Sequence, residues 1–177
     1  MENIILIKER LKERIKNNYF DIKNQSGDYR LYTLVLNRVY DLETIFFPLY
    51  GTLINLKKQI DDTNLNYSTV WNASKLDITN KKQIPVEKKI IKKLKKISHE
   101  NVDFLLIECL IELKNEGFFD SEIPEFSIYI QHTNKNTAIE ENSFKLINGT
   151  SYWNAFKSRE IDNDYSLTNL LIDRYNL

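Results

Sequence analysis

Apolar residues recur at Ile4, Ile7, Leu11 and Ile15 with Lys, Glu and Arg between them. That spacing predicts an amphipathic helix over 2–18, and "NQSGD" at 24–28 interrupts it. "YRLYTLVLNRVY" (29–40) and "ETIFFPLYG" (43–51) are rich in β-branched and aromatic residues. With an acidic turn between them, they read as two antiparallel strands. Pro48 cannot donate to a ladder, so the second strand lies at an edge or ends there. Leu53 to Ile60 reads as a short helix. Residues 61–83 carry the weakest pattern and read as a surface loop, with one short strand around 69–71.

Pro85 suits the first position of a helix, where its missing N–H is no loss. Val86, Ile90, Ile91, Leu94 and Ile97 extend that helix as a stripe to about 98. A longer helix follows over about 101–116, with Gly117 as its C-cap. "EFSIYIQH" (125–132) alternates as a third strand. Thr137 and Glu140 form a capping box for a helix to Asn148, stopped by Gly149. A further helix carries Tyr152, Trp153 and Phe156, and a weaker helix or ordered extension begins at about 162. The pattern shows no internal repeat and no dividing linker. It predicts one α+β domain over 1–177, a small antiparallel sheet with helices packed mainly on one face.

The helix around "LLIECLIELKNEGFF" (105–119) raises the first question of chemistry, because Glu108 and Glu112 lie four apart. On a wheel, Val102, Leu106, Cys109 and Leu113 share one side, and Phe104, Ile107 and Ile111 fall nearly opposite. Such a helix is sandwiched. Its two acids lie along an exposed edge, opposite a flank holding Asp103 and Lys114. They have no third ligand or base beside them. The single cysteine, Cys109, points into the core and behaves as a small hydrophobe.

Charge and composition narrow the classes. Lys+Arg and Asp+Glu both number 25 in 177 residues, so no global field draws the chain to nucleic acid or an anionic membrane. One cysteine forms no internal disulfide and suits a reducing compartment. The N-terminal apolar run is too short for a signal peptide, and no stretch approaches the ~18 apolar residues of a membrane span. A cytoplasmic protein is the expectation. The chain is rich in Asn, Lys and Ile, and its four Asn-x-Ser/Thr sequons (Asn24, Asn66, Asn72, Asn148) carry no glycosylation argument.

Candidate sites are few. His99 and His132 stand far apart without neighbouring ligands, whereas zinc needs clustered His or Cys. Gly27, Gly51, Gly117 and Gly149 are isolated, so no phosphate cradle or dinucleotide fingerprint is present. No nucleophile elbow occurs. The expectation is therefore no catalytic residue, no metal and no cofactor. "KKQIPVEKKIIKKLKKISH" (81–99) holds eight lysines and no arginine. It reads as a solvated face first, an acidic-partner surface second and a nucleic-acid surface third. Trp71, Tyr67 and Tyr50 lie in or beside the long loop and are the candidate partner-binding anchors.

The order of these pieces resembles a known family. A strand pair, a central loop with Trp71 and a lysine-rich helix lead into "IIKKLKKISHENVDFLLIECLIELKNEGFF". "FSIYIQHTN" and "SFKLINGTSYWNAF" follow. Over about 28–160 this is similar to a bacterial domain of unknown function that occurs among assigned immunity proteins of polymorphic toxin systems. Glu116, Gly117 and Phe119, the strand 126–131, and Ser143, Asn148 and Phe156 carry the match. Leu76 stands where a second aromatic is usual, and "GTLINLKK" lacks the family's acidic character there. The resemblance implies a non-catalytic immunity factor that occludes a cognate toxin encoded nearby. It implies no catalytic residues, and it leaves a nucleic-acid-associated protein or an enzyme with dispersed site residues as alternatives.

Overall fold

The computed structural model describes residues 2–27, 29–39, 45–61, 76–78, 88–132, 137–161 and 166–177. The long first helix, α1 (Glu2–Ser26), outruns the expected end at 18. Tyr19 and Ile22 continue the buried stripe of Ile7, Leu11 and Ile15, and Gly27 ends the helix at φ +64°. Strands β1 (Leu31–Arg38) and β2 (Phe46–Thr52) pair antiparallel. Thr52 caps α2 (Leu53–Asp61), its hydroxyl accepting from Asn55 N at 3.3 Å. The short β3 (Asp77–Ile78) pairs with β2, and the strand expected around 69–71 lies outside the described residues, as does Pro85.

Helix α3 (Lys88–Leu94) precedes α4 (His99–Asn115). Ser98 caps α4 through Asn101 N at 3.3 Å. At its far end Gly117 N bonds Lys114 O and Phe118 N bonds Leu113 O, both at 3.0 Å, with Gly117 at φ +73°. This is the Schellman closure that a glycine in that place favours. Then come β4 (Ser127–His132), α5 (Thr137–Asn148), α6 (Thr150–Ile161) and α7 (Ser166–Tyr175).

The α+β class holds, but the sheet is mixed, in the order β3-β2-β1-β4. β4 lies parallel to β1, Leu34 opposite Ile128 and Arg38 opposite His132, which corrects the expectation of a wholly antiparallel sheet. Alternation along a strand reports which face is buried, not which neighbour it joins or in which direction. Side chains of Leu34, Leu36 and Arg38 share one face with Ile128, Ile130 and His132. There α4 packs, with α1 beside it. Tyr129, on the opposite parity, packs against Phe144 of α5 and Phe156 of α6, each at 5.4 Å between ring centroids, so helices cover both faces of the sheet and not mainly one as expected.

The free edge of β4 is covered by α5 rather than by another strand. Asn148 accepts from Ile128 N at 3.1 Å and donates to Ile128 O at 2.7 Å. Ser143 accepts from Ile130 N at 3.0 Å. Two side chains thus satisfy the ladder groups that would otherwise recruit a neighbouring chain. The C-terminal segment docks as well: Leu171 is buried, and Arg174 and Tyr175 bind Glu125, the latter at 2.8 Å.

Candidate functional site

Two features stand out chemically, one interior and one at the surface. The interior one grows from strand parity. Arg38 ends β1 on the same face as Leu34 and Leu36, and His132 ends β4 beside it. Both therefore point inward, toward α4, where Asp103 is also buried. Arg38 Nε donates to Asp103 Oδ1 at 2.9 Å, and His132 Nε2 donates to Asp103 Oδ2 at 3.0 Å. Arg38 also bonds the carbonyls of Val39 and Ile45, the latter at 2.8 Å, and meets His99 Nδ1 at 3.4 Å. Ile45 is a buried β-branched residue at φ +63°, a conformation such residues rarely hold, and its carbonyl is pinned by Arg38 and by Val39 N at 3.0 Å.

The two histidines, remote in sequence, thus meet one Arg–Asp pair. Their partners are a guanidinium and a carboxylate already bonded to each other. The arrangement neutralises a buried charge and ties Val39 at the end of β1 to Ile45 before β2. Among the described residues, no group of three or more His, Cys, Asp or Glu is placed to hold a metal ion. A second buried acid is used in the same manner. Glu122 accepts from Leu31 N at 2.7 Å, from the Tyr19 hydroxyl and from Lys23 at 2.9 Å. Burial first, and the hydrogen bond to Glu122 second, push the Tyr19 hydroxyl well above the usual phenol range.

The edge acids of α4 face α1. Lys8 pairs with Glu108 at 3.2 Å and with Glu112, Lys12 with Glu112 at 3.3 Å and with Glu116, and Lys16 with Glu116 at 3.8 Å. The constant offset shows α1 and α4 running parallel. The hydrogen bond from Lys8 holds the Glu112 carboxyl below its ordinary range, and the same bond raises Lys8. Glu108 and Glu112 are structural, exposed as expected but with lysine partners. Cys109 is buried beneath them, and burial pushes its thiol up to about 12.

The surface feature is α3 and its surroundings. Lys88, Lys89, Lys92, Lys95 and Lys96 are exposed and Lys93 is half-buried, while Ile90 and Leu94 face the core. Among the described residues none of the six lysines has a carboxylate or other polar partner. Lys8, Lys12 and Lys16 of α1, by contrast, pair with carboxylates of α4 and its C-cap. α3 packs on α1 and passes directly into α4, so the cationic ridge adjoins the start of α4. There Phe104 is 46% exposed, with Ile4 at 50% and Ile5 at 58% on α1.

Of the expected anchors, Tyr50 is corrected. It is only 7% exposed in β2, paired across to Leu34, and its hydroxyl is raised by burial and then by Asp77. The strand runs on to Thr52, so Tyr50 belongs to the sheet and not to the loop. Trp71 and Tyr67 lie outside the described residues. No helix among the described residues is long and apolar enough to cross a membrane. Comparison with family models, characterised proteins and solved structures gave no match to this chain.

Proposed function

We propose that the chain is a non-catalytic binding protein, a cytoplasmic immunity factor that neutralises a cognate bacterial toxin by covering it. The observation that carries this reading is the cationic α3, whose lysines have no partner among the described residues and which leads into α4 with its exposed Phe104, while Ile4 and Ile5 are exposed at the start of α1. Apolar side chains set within charge are what a protein interface uses: anchors at the centre and charge at the rim. The buried charges Arg38, Asp103 and Glu122 support it from the other side, since their bonds serve the fold. The resemblance over 28–160 supplies the biological class. Trp71 and Tyr67, outside the described residues, join the proposal as anchors.

Co-expression tests it. A toxin encoded by the adjacent gene should arrest growth alone and be tolerated when this chain is present in at least equal amount. Arrest that persists with abundant, folded protein overturns the immunity reading. Protection by a small fraction of an equivalent points instead to an enzyme acting on the toxin or its product.

A further inference from the structure

The same surface defines the chemistry of its partner. We infer that α3 and the first turns of α1 and α4 form a docking surface for an acidic protein, its carboxylates meeting the lysine ridge and its apolar side chains meeting Phe104 and Ile4. This rests on the binding-protein reading above and adds a place and a chemical class to it.

The ridge is the first support. Six lysines within 88–96, none with a partner among the described residues, stand on a chain of zero net charge. Among the described residues no carboxylate pairs with them, although α4 and its C-cap supply carboxylates to Lys8, Lys12 and Lys16 of α1. Such a patch speeds encounter with a surface of opposite sign and disfavours others. The second support is what adjoins it. Phe104 lies on the α4 stripe with Glu100 and Glu108 one turn to either side, all three exposed. A nucleic-acid strand stacking a base on Phe104 would bring its phosphates against those acids. The ridge also has no arginine for bidentate contact with phosphate or guanine. A protein partner meets neither difficulty, because it can place apolar groups at Phe104 and carboxylates only at the ridge.

The test uses the full chain and defined probes at ~0.15 M salt, where weak long-range attraction is screened. The probes are a labelled Glu-rich peptide with Leu and Phe at helical spacing, polyglutamate of equal charge, and single-stranded and duplex DNA, all read by fluorescence anisotropy. The amphipathic acidic peptide should bind best. Its affinity should fall about tenfold or more in Lys92→Gln/Lys95→Gln/Lys96→Gln, and again in Phe104→Ser, with melting unchanged in both. Tighter binding of either DNA overturns the inference in favour of nucleic acid. Equal binding of polyglutamate with no effect of Phe104→Ser reduces the ridge to simple ion exchange and also overturns it, as does no binding of any probe. Toxin neutralisation that persists in both variants would leave the immunity reading standing and move its contact surface elsewhere.

Discussion

Replacing Asp103 with alanine is the sharpest perturbation of the interior. Arg38 is fully buried, and its Nε would lose the acceptor now 2.9 Å away. His132 would lose its acceptor at 3.0 Å. The guanidinium would keep the carbonyls of Val39 and Ile45 but no counter-charge. Removing one member of a buried pair costs about 3–5 kcal/mol, because the survivor remains desolvated and unneutralised. At 177 residues each kcal/mol moves the melting temperature by roughly 2–4 °C, so a fall of about 6–20 °C is expected. Urea unfolding at neutral pH measures the free energy directly, and an unchanged slope would show that compactness is retained. Arg38→Met/Asp103→Leu supplies the control. Replacing both charges with apolar groups should be less damaging than Asp103→Ala alone, so the two sites should couple strongly in a double-mutant cycle with Arg38→Met. A loss under about 1 kcal/mol for Asp103→Ala, or strict additivity, would refute the reasoning.

Other outcomes are expected elsewhere. A Cβ on Gly51 would sit 2.4 Å from the buried Tyr32 ring, so Gly51→Ala should lower stability by about 1–3 kcal/mol, checked by the same urea titration. Because Lys8 holds the Glu112 carboxyl below its ordinary 4.5, the stabilisation is present above that pH and lost as pH falls through the lowered value. Melting of the native protein should therefore drop more steeply below pH 4.5 than that of Glu112→Gln, and added salt should shrink the difference. Lys88→Gln/Lys92→Gln/Lys95→Gln should leave the melt nearly unchanged, since exposed lysines without partners among the described residues contribute little to folding. Trp71→Ala should weaken toxin binding by about 2 kcal/mol or more with a smaller effect on the melt; a stability loss of roughly 3–5 kcal/mol with unaltered affinity would make Trp71 a core residue.

Much of this architecture is readable in the chain, and the exceptions have physical causes. The caps at Ser98, Gly117 and Gly149 and the helices they bound follow from local chemistry. The expected end of α1 at 18 falls too early, although Tyr19 and Ile22 continue its buried stripe and the helix runs to Ser26. The parallel partnership of β1 and β4 was not legible, since nothing local encodes which strands meet. The Arg38–Asp103–His132 cluster left a signal that residue type obscures. Arg38 and His132 occupy the parity of Leu34, Leu36, Ile128 and Ile130, the inward face. Asp103 lies on a flank of a helix apolar on two sides, where the sheet covers it. Tyr50 misled for the converse reason, as it reads with the weakly patterned stretch 61–83 but sits in β2 opposite Leu34. The lysine ridge was plain as composition, but whether acids elsewhere neutralise it is a tertiary question.

The central proposal, a binding protein that acts by covering its target, is tested most directly by calorimetric titration of the purified chain into the product of any toxin-like gene beside its own, with toxin activity followed on the same samples. One-to-one binding tighter than about micromolar is expected, with activity falling in proportion to complex formed and vanishing at equivalence. Absence of binding heat and of a complex, or complete inhibition far below equivalence, would contradict the account.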